Sequence, residues 1–153
     1  MDIVRRNTDY ALRAMVNLAR NHNHGPVSSR IISDQEKVPY QLMCKLMQKL
    51  NNAGLVTSYM GPKGGFCLSR EPSKINILEV IDTIQEPISL NRCLLAKDIC
   101  PRQKYCSVRP KLVALQDYIG HYLSNITLDE LVPGKSKKKK GNIKGPRNGR
   151  NKR

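Results

Sequence analysis

The chain has 153 residues, 39% of them hydrophobic, and a formal net charge of +15. That length suits one domain with appendages and a core needing no disulfide staples. No apolar run is long enough to span a membrane and no signal-peptide pattern opens the chain, so a cytoplasmic protein with reduced cysteines is expected.

Ala11, Ala14, Met15, Leu18 and Ala19 recur at helical spacing and predict a first helix over residues 8–21. His22 and His24 follow in Asn-His-Asn-His-Gly, which reads as a polar loop, since no other ligand type lies close by in sequence. Ser28 reads as the N-cap of a second helix ending near residue 37, with Ile31 and Ile32 inward. Pro39 suits the first position of a third helix, where its missing N–H would go unpaired anyway. That helix is expected to run to about residue 53, with Leu42, Leu46 and Leu50 as its buried stripe, Met43 and Met47 beside it, and Gly54 as its stop.

Two short helices meeting at a tight turn are a helix-turn-helix candidate. The outward face of the third helix carries Tyr40, Gln41, Cys44, Lys45, Gln48 and Lys49, donors and cations without a carboxylate. Such a face suits base edges and phosphates, and it equally suits water. Residues 55–60 and 66–69 read as two strands around the turn Gly61-Pro62-Lys63-Gly64-Gly65. A hairpin in this place is a wing with Lys63 at its tip. Its glycines lack the spacing and the Gly-Lys-Ser/Thr ending of a nucleotide loop. Cys67, within a strand, reads as a small buried hydrophobe. Asn76 and Glu79 have the spacing of a capping box, opening a fourth helix with Ile77, Val80, Ile81 and Ile84 as its stripe and Pro87 after its end.

Three of the five cysteines, Cys93, Cys100 and Cys106, then fall within fourteen residues rich in polar side chains. Beyond them Val108, Leu112, Leu115, Ile119, Tyr122 and Ile126 alternate four and three apart, nearly three heptads of one long amphipathic helix. Pro110 falls in its first turn, where it does no harm. Pairing with its copy in a homodimer is the expected use of that stripe, and folding back on the preceding domain is the other. Thr127 and Glu130 suggest a last short helix, stopped by Pro133-Gly134. Residues 134–153 hold ten Lys or Arg and no acid, leaving 17 basic and 12 acidic residues elsewhere. A cationic arm on a mildly basic body points to a polyanion, nucleic acid before others, or to a solubilising disordered tail.

The chain reads as mostly α with a small β-hairpin. Residues 1–87 form a winged helix-turn-helix domain, 88–107 a cysteine-rich loop, 108–133 a dimerisation helix with a short C-terminal helix, and 134–153 a basic tail. No nucleophile elbow, dinucleotide-binding turn or zinc-protease pair occurs, so no enzyme and no small-molecule substrate are expected.

These pieces together resemble the IscR/NsrR-type winged-helix transcription regulators, the Rrf2 family. The resemblance covers residues 6–132. Its carriers are Thr8-Asp9-Tyr10-Ala11-Leu12-Arg13-Ala14-Met15, Gly54-Leu55-Val56, the wing-tip Gly61-Pro62-Lys63-Gly64-Gly65-Phe66, the cysteine triplet and Asn125-Ile126-Thr127-Leu128-Asp129-Glu130-Leu131. The resemblance implies a homodimer on double-stranded DNA, with the third helix in the major groove and the wing near the minor groove. Ser28, Tyr40, Gln41, Cys44, Lys45, Lys49 and Lys63 are then the expected contacts. It also implies an iron–sulfur cluster on Cys93, Cys100 and Cys106, two-iron or four-iron, and thiolates are the usual ligands of such clusters. In one branch a His three residues past the last cysteine completes the set. Here that residue is Arg109. In another branch an N-terminal aspartate from the other subunit does so, which corresponds to Asp9. The first cysteine interval is one residue longer than is usual in the family. Cys44 and Met60 replace residues that help relatives choose their sites, so the operator does not carry over.

Other readings stay open. Arg92, Lys97, Arg102, Lys104 and Arg109 surround the three cysteines, a setting that favours reactive thiols and a cluster-free redox regulator. The tail also suits an RNA- or ribosome-associated winged-helix protein. Zinc is disfavoured by the absence of short Cys-x-x-Cys arms. Deleting the tail is expected to flatten the salt dependence of binding and weaken all DNA alike.

Overall fold

A computed structural model describes residues 3–95 and 99–134. The basic tail beyond Gly134, and Lys97 in the cysteine loop, lie outside the described residues. Helix α1 spans Arg6–Arg20, α2 Ser29–Glu36, α3 Tyr40–Asn52, α4 Ile77–Ile84 and α5 Arg109–Ser124. Strands β1 (Val56–Tyr59) and β2 (Gly65–Leu68) form the antiparallel hairpin between α3 and α4. Short 3-10 turns occupy Pro72–Lys74, Arg92–Leu94, Gln103–Tyr105 and Leu128–Leu131. The architecture is the expected one, mostly helical with a single hairpin as wing. No helix among the described residues is long and apolar enough to cross a membrane.

The helix-turn-helix is built locally. Ser28 accepts a hydrogen bond from the Ile31 N–H at 3.3 Å and so caps α2. The helix ends at Lys37, which sits in the left-handed region with φ 56° and turns the chain into Val38 and Pro39. Pro39 is the residue before α3 rather than its first. Two side-chain expectations shift by one position. Ile32 is buried with Ser33, but Ile31 stays 48% exposed, because an eight-residue helix offers the core only a narrow stripe. On α3 the buried residues are Met43, Leu46, Met47 and Leu50, while Leu42 is half-buried.

Polar ties fix α2 against α1. Buried Asn17 donates through Nδ2 to Gln35 Oε1 at 2.8 Å and to Glu36 Oε1 at 2.9 Å. Arg13 reaches the Glu36 carbonyl and carboxylate. Beneath these, Ala11, Ala14, Met15 and Leu18 of α1 meet Ile32, Met43, Met47, Leu50, Leu55, Val56, Leu68 and Val80 in one core.

The hairpin pairs Val56 with Leu68 and Tyr59 with Gly65. A further exchange of backbone bonds between Val27 and Phe66, at 3.0 and 2.9 Å, anchors the wing to the segment before α2. That approach requires Gly65, at φ 152°, because a Cβ there would collide with the Val27 carbonyl. Cys67 is half-buried in β2.

Helix α4 opens with the capping box expected, Asn76 and Glu79 each satisfying the other's backbone N–H. The end of α5 returns to this point. The Ile77 N–H donates to Ile126 O and the Leu128 N–H to Ile75 O, both at 3.0 Å. Leu128 is then fully buried against α1, and Val132 joins the same core. The turn Leu128–Leu131 carries its own capping box at Thr127 and Glu130.

Candidate nucleic-acid interface and cysteine loop

The buried stripe of α3 orients its opposite face. Tyr40, Gln41, Lys45, Gln48 and Lys49 are exposed there and Cys44 is half-buried. No acidic residue lies on the helix, so the face offers donors and cations only. Lys63 is exposed in the wing turn, beside Met60, which is 97% exposed. Ser28 is half-buried at the start of α2, where its hydroxyl makes the expected N-cap.

One contact on this face was not foreseen. The guanidinium carbon of Arg30, second residue of α2, lies 4.4 Å from the centroid of the Tyr40 ring. A hydrogen bond with the Cys44 thiol pushes the Tyr40 hydroxyl above its ordinary pKa, and the Arg30 guanidinium pulls the other way. Arg30, Tyr40 and Cys44 thus form a connected row across the outer side of both helices. Arg30 and Tyr40 are ten residues apart and on different helices, so no periodicity pairs them.

If α3 reads base edges, Gln41→Ala or Lys45→Ala is expected to cost roughly 1–3 kcal/mol on a selected duplex and much less on random DNA. Fluorescence anisotropy with both duplexes checks this. Equal losses would mean that the two side chains touch only phosphate.

The cysteine loop lies between α4 and α5. Cys93 sits in the turn Arg92–Leu94, Cys100 precedes the turn Gln103–Tyr105, and Cys106 follows it. All three are half-buried free thiols. The loop is tied to α5 where the Leu90 N–H donates to Gln116 Oε1 at 3.2 Å. Among the described residues no three His, Cys, Asp or Glu side chains stand close enough to hold a metal ion. The thiols are therefore not gathered into a closed ligand set. As donors they fit an iron–sulfur group in kind, being soft thiols on one loop. Arg109, three residues past Cys106, has an Nε shielded from solvent with no hydrogen-bond partner. Asp9, in the first turn of α1, is exposed and lies 3.7 Å from Arg13, one turn on. His22 lies 3.4 Å from Glu71 and His24 is exposed, as suits a polar loop.

A second unforeseen contact joins the loop's root to α1. The Gln85 carboxamide, just past α4, accepts from the Arg5 N–H at 3.0 Å and from the Thr8 hydroxyl at 2.7 Å. Its Nε2 donates to Ile3 O at 3.0 Å. Arg5 provides no cap from its own side chain, so Gln85 caps α1 from 80 residues away. A cleft of about 470 Å³ opens beside this clasp, lined by Ile3, Arg5, Arg6, Ile88, Leu90 and Leu95 among others.

Helix α5 has two apolar sides. Leu112, Ile119 and Leu123 are half-buried on a helix that packs against α4 and the turn Arg92–Leu94, and Ile126 just past the helix is half-buried as well. Val108 (59%), Leu115 (48%), Tyr118 (41%) and Tyr122 (49%) form an exposed stripe. Tyr118 was not among the expected seam residues.

Residues 4–134 match the family model Rrf2, iron-dependent transcriptional regulator. The HTH-type transcriptional regulator IscR of Escherichia coli is 35% identical over 123 residues, 80% of this chain and 75% of that protein. The structure of CymR, the global cysteine regulator of B. subtilis, superimposes with a TM-score of 0.73 at 29% identity, covering 86% of this chain and 96% of CymR. T. potens IscR gives a TM-score of 0.69 at 25% identity, covering 84% of each chain.

Proposed function

Since the chain belongs to the Rrf2 family of transcriptional regulators, and is thus a DNA-binding regulator rather than an enzyme, we propose that it works as a cytoplasmic homodimer. Its affinity for DNA is set by an iron–sulfur cluster on Cys93, Cys100 and Cys106. Asp9 of the partner subunit is the proposed fourth ligand, because Arg109 stands where one branch of the family has a histidine. The DNA-facing residues proposed are Ser28 at the start of α2, Gln41, Cys44, Lys45 and Lys49 on α3 and Lys63 on the wing, with Tyr40 beside them at the start of α3. The homodimer seam is proposed along the outward stripe of α5. The exposed Val108, Leu115 and Tyr122 of the expected set lead it, and Leu112, Ile119 and Ile126 flank it from the half-buried side.

The observation that supports this reading is the placing of three free thiols on a loop between the DNA-reading helices and α5. A cluster bound there would supply a group that oxidant, nitric oxide or iron loss can remove. The chain's own residues would do the rest. The thiols hold the loop in one shape, the Gln85 clasp connects its root to α1, and α1 supports α2 and α3. A carboxylate is a poorer partner for cluster iron than thiolate, so the Asp9 position would be the labile one. Coupling of this kind amounts to about 1–3 kcal/mol in DNA affinity.

Anaerobic reconstitution of the full chain with iron and sulfide tests it. A visible absorption spectrum with stoichiometric iron and acid-labile sulfide is expected, together with a change in duplex affinity when the group is stripped. Protein that takes up neither iron nor sulfide would instead be a thiol-based redox regulator. That second reading is supported by the same free thiols and by Arg92, Arg102, Lys104 and Arg109 around them. Its mark would be DNA binding that changes with oxidant and recovers with thiol reductant.

A further inference from the structure

We propose that Arg30 is a DNA-backbone contact and that Tyr40 is the residue that positions it. The proposal deepens the DNA-binding role and rests on it. Arg30 is exposed on the first helix of the helix-turn-helix, the helix that crosses the phosphate backbone when the second enters the groove. Its guanidinium lies over the ring of Tyr40, the first residue of the reading helix, at 4.4 Å from the centroid.

The stack lies on the outer side of both helices, away from the core, with Tyr40 43% exposed. An exposed cation–π contact is weaker than the rotamer entropy lost in ordering an arginine side chain. The pair therefore adds little to folding stability. It does fix a guanidinium in place before DNA arrives. Among the described residues no carboxylate pairs with Arg30, the ion pairs being made by Arg13, His22 and Arg70. Stacking occupies only the face of the planar group. The guanidinium also reaches the Tyr40 hydroxyl, and its remaining N–H groups are free to meet phosphate oxygens. The Cys44 thiol lies beside the Tyr40 hydroxyl, one turn further along α3. Gln41 and Lys45 on the same helix remain directed outward for the bases.

The test uses the full chain, a duplex selected by the wild-type protein from a random pool, and a scrambled duplex of the same length. Arg30→Ala, which removes one backbone contact from each subunit, is expected to weaken binding to both duplexes by at least about tenfold and to lower the salt slope by about two. Tyr40→Leu should lose nearly as much. Tyr40→Phe, which keeps the ring, should stay within about threefold of wild type. The double variant Arg30→Ala/Tyr40→Leu should bind no worse than Arg30→Ala alone, the non-additivity expected when one side chain acts through another. Additive losses would show that Tyr40 touches DNA independently and would overturn its positioning role. A loss confined to the selected duplex would make Arg30 a base reader, and no loss at all would leave the stack a surface ornament. Either result overturns the backbone contact. Unchanged thermal melting separates all of these from misfolding. A wild-type protein that enriches no duplex from the pool would instead refute specific DNA reading itself, before any variant is made.

Discussion

Alanine at any one of Cys93, Cys100 or Cys106 is expected to give a protein that takes up no iron or sulfide under anaerobic reconstitution, while Cys44→Ala and Cys67→Ala load as wild type does. Three thiols on one loop are the minimum that leaves a single iron position to a weaker ligand, and two leave the group held at half its corners. The other two cysteines are placed for different work. Cys67 is half-buried in β2, where burial pushes its thiol up and disfavours the thiolate that a metal needs. Cys44 is on α3, engaged with Tyr40. Asp9→Ala should leave a weaker cluster or shift its spectrum without abolishing it, because an exposed carboxylate whose neighbour in its own chain is Arg13 is a replaceable ligand. DNA affinity should change in all three cysteine variants by the same amount, about 5–150-fold, since each removes the same group. Unequal effects on DNA, or loading that survives loss of one of the three, would sink the assignment.

The double substitution Leu115→Asp/Tyr122→Asp is expected to convert the proposed dimer to a monomer that keeps its helix content. Both side chains are about half exposed in the single chain, so charge there costs the monomer little. In a paired seam each carboxylate would be buried opposite its symmetry mate, at several kcal/mol per ion after relaxation, and twofold symmetry doubles the count. Losing the second reading head should then weaken binding to a two-half-site duplex by roughly 100-fold or more. Sedimentation velocity and circular dichroism on the same sample check both halves. Leu112→Asp makes the useful contrast. Leu112 is half-buried within the single chain, so its variant should lose thermal stability whether or not the dimer forms. A Leu115/Tyr122 variant that still sediments as a dimer would place the interface elsewhere.

What the sequence revealed and what it hid divide along chain distance. The Ser28 cap, the Asn76–Glu79 and Thr127–Glu130 boxes, the wing turn and the helix-turn-helix all depend on residues a few positions apart, and these were legible. The period of α5 was legible too, but not the direction its residues face. A helix with apolar residues on two sides gives one heptad pattern whether Leu112 or Leu115 faces its own domain. Ile31 and Leu42 were placed inward because apolar residues usually are. The packing of α1, α2 and α3 on one another decided that Ile32, also expected inward, is buried without Ile31 and that Met43 takes Leu42's place. Gln85 left no trace at all. It is a polar residue after an apolar stripe, and its three partners lie 77 to 82 residues upstream. The cysteine spacing revealed the donors, and a loop's fold around a ligand is set by the ligand as much as by the residues between.

The Gln85 clasp makes the start of α1 and the root of the cysteine loop share one amide. Any movement of residues 86–95 that turns that amide takes the cap from α1, and a lost helix cap costs about 1 kcal/mol, roughly a fivefold change in an equilibrium. Such a coupling is reciprocal by thermodynamic necessity. With the proposed cluster on the loop, DNA that steadies the helix-turn-helix would also steady the loop, by the same factor with which the cluster would alter grip on DNA. The signal level at which the occupant leaves is then no fixed constant of the protein. Under that proposal strong and weak operators would give the regulator different thresholds, and its genes would switch in sequence as a stress deepens.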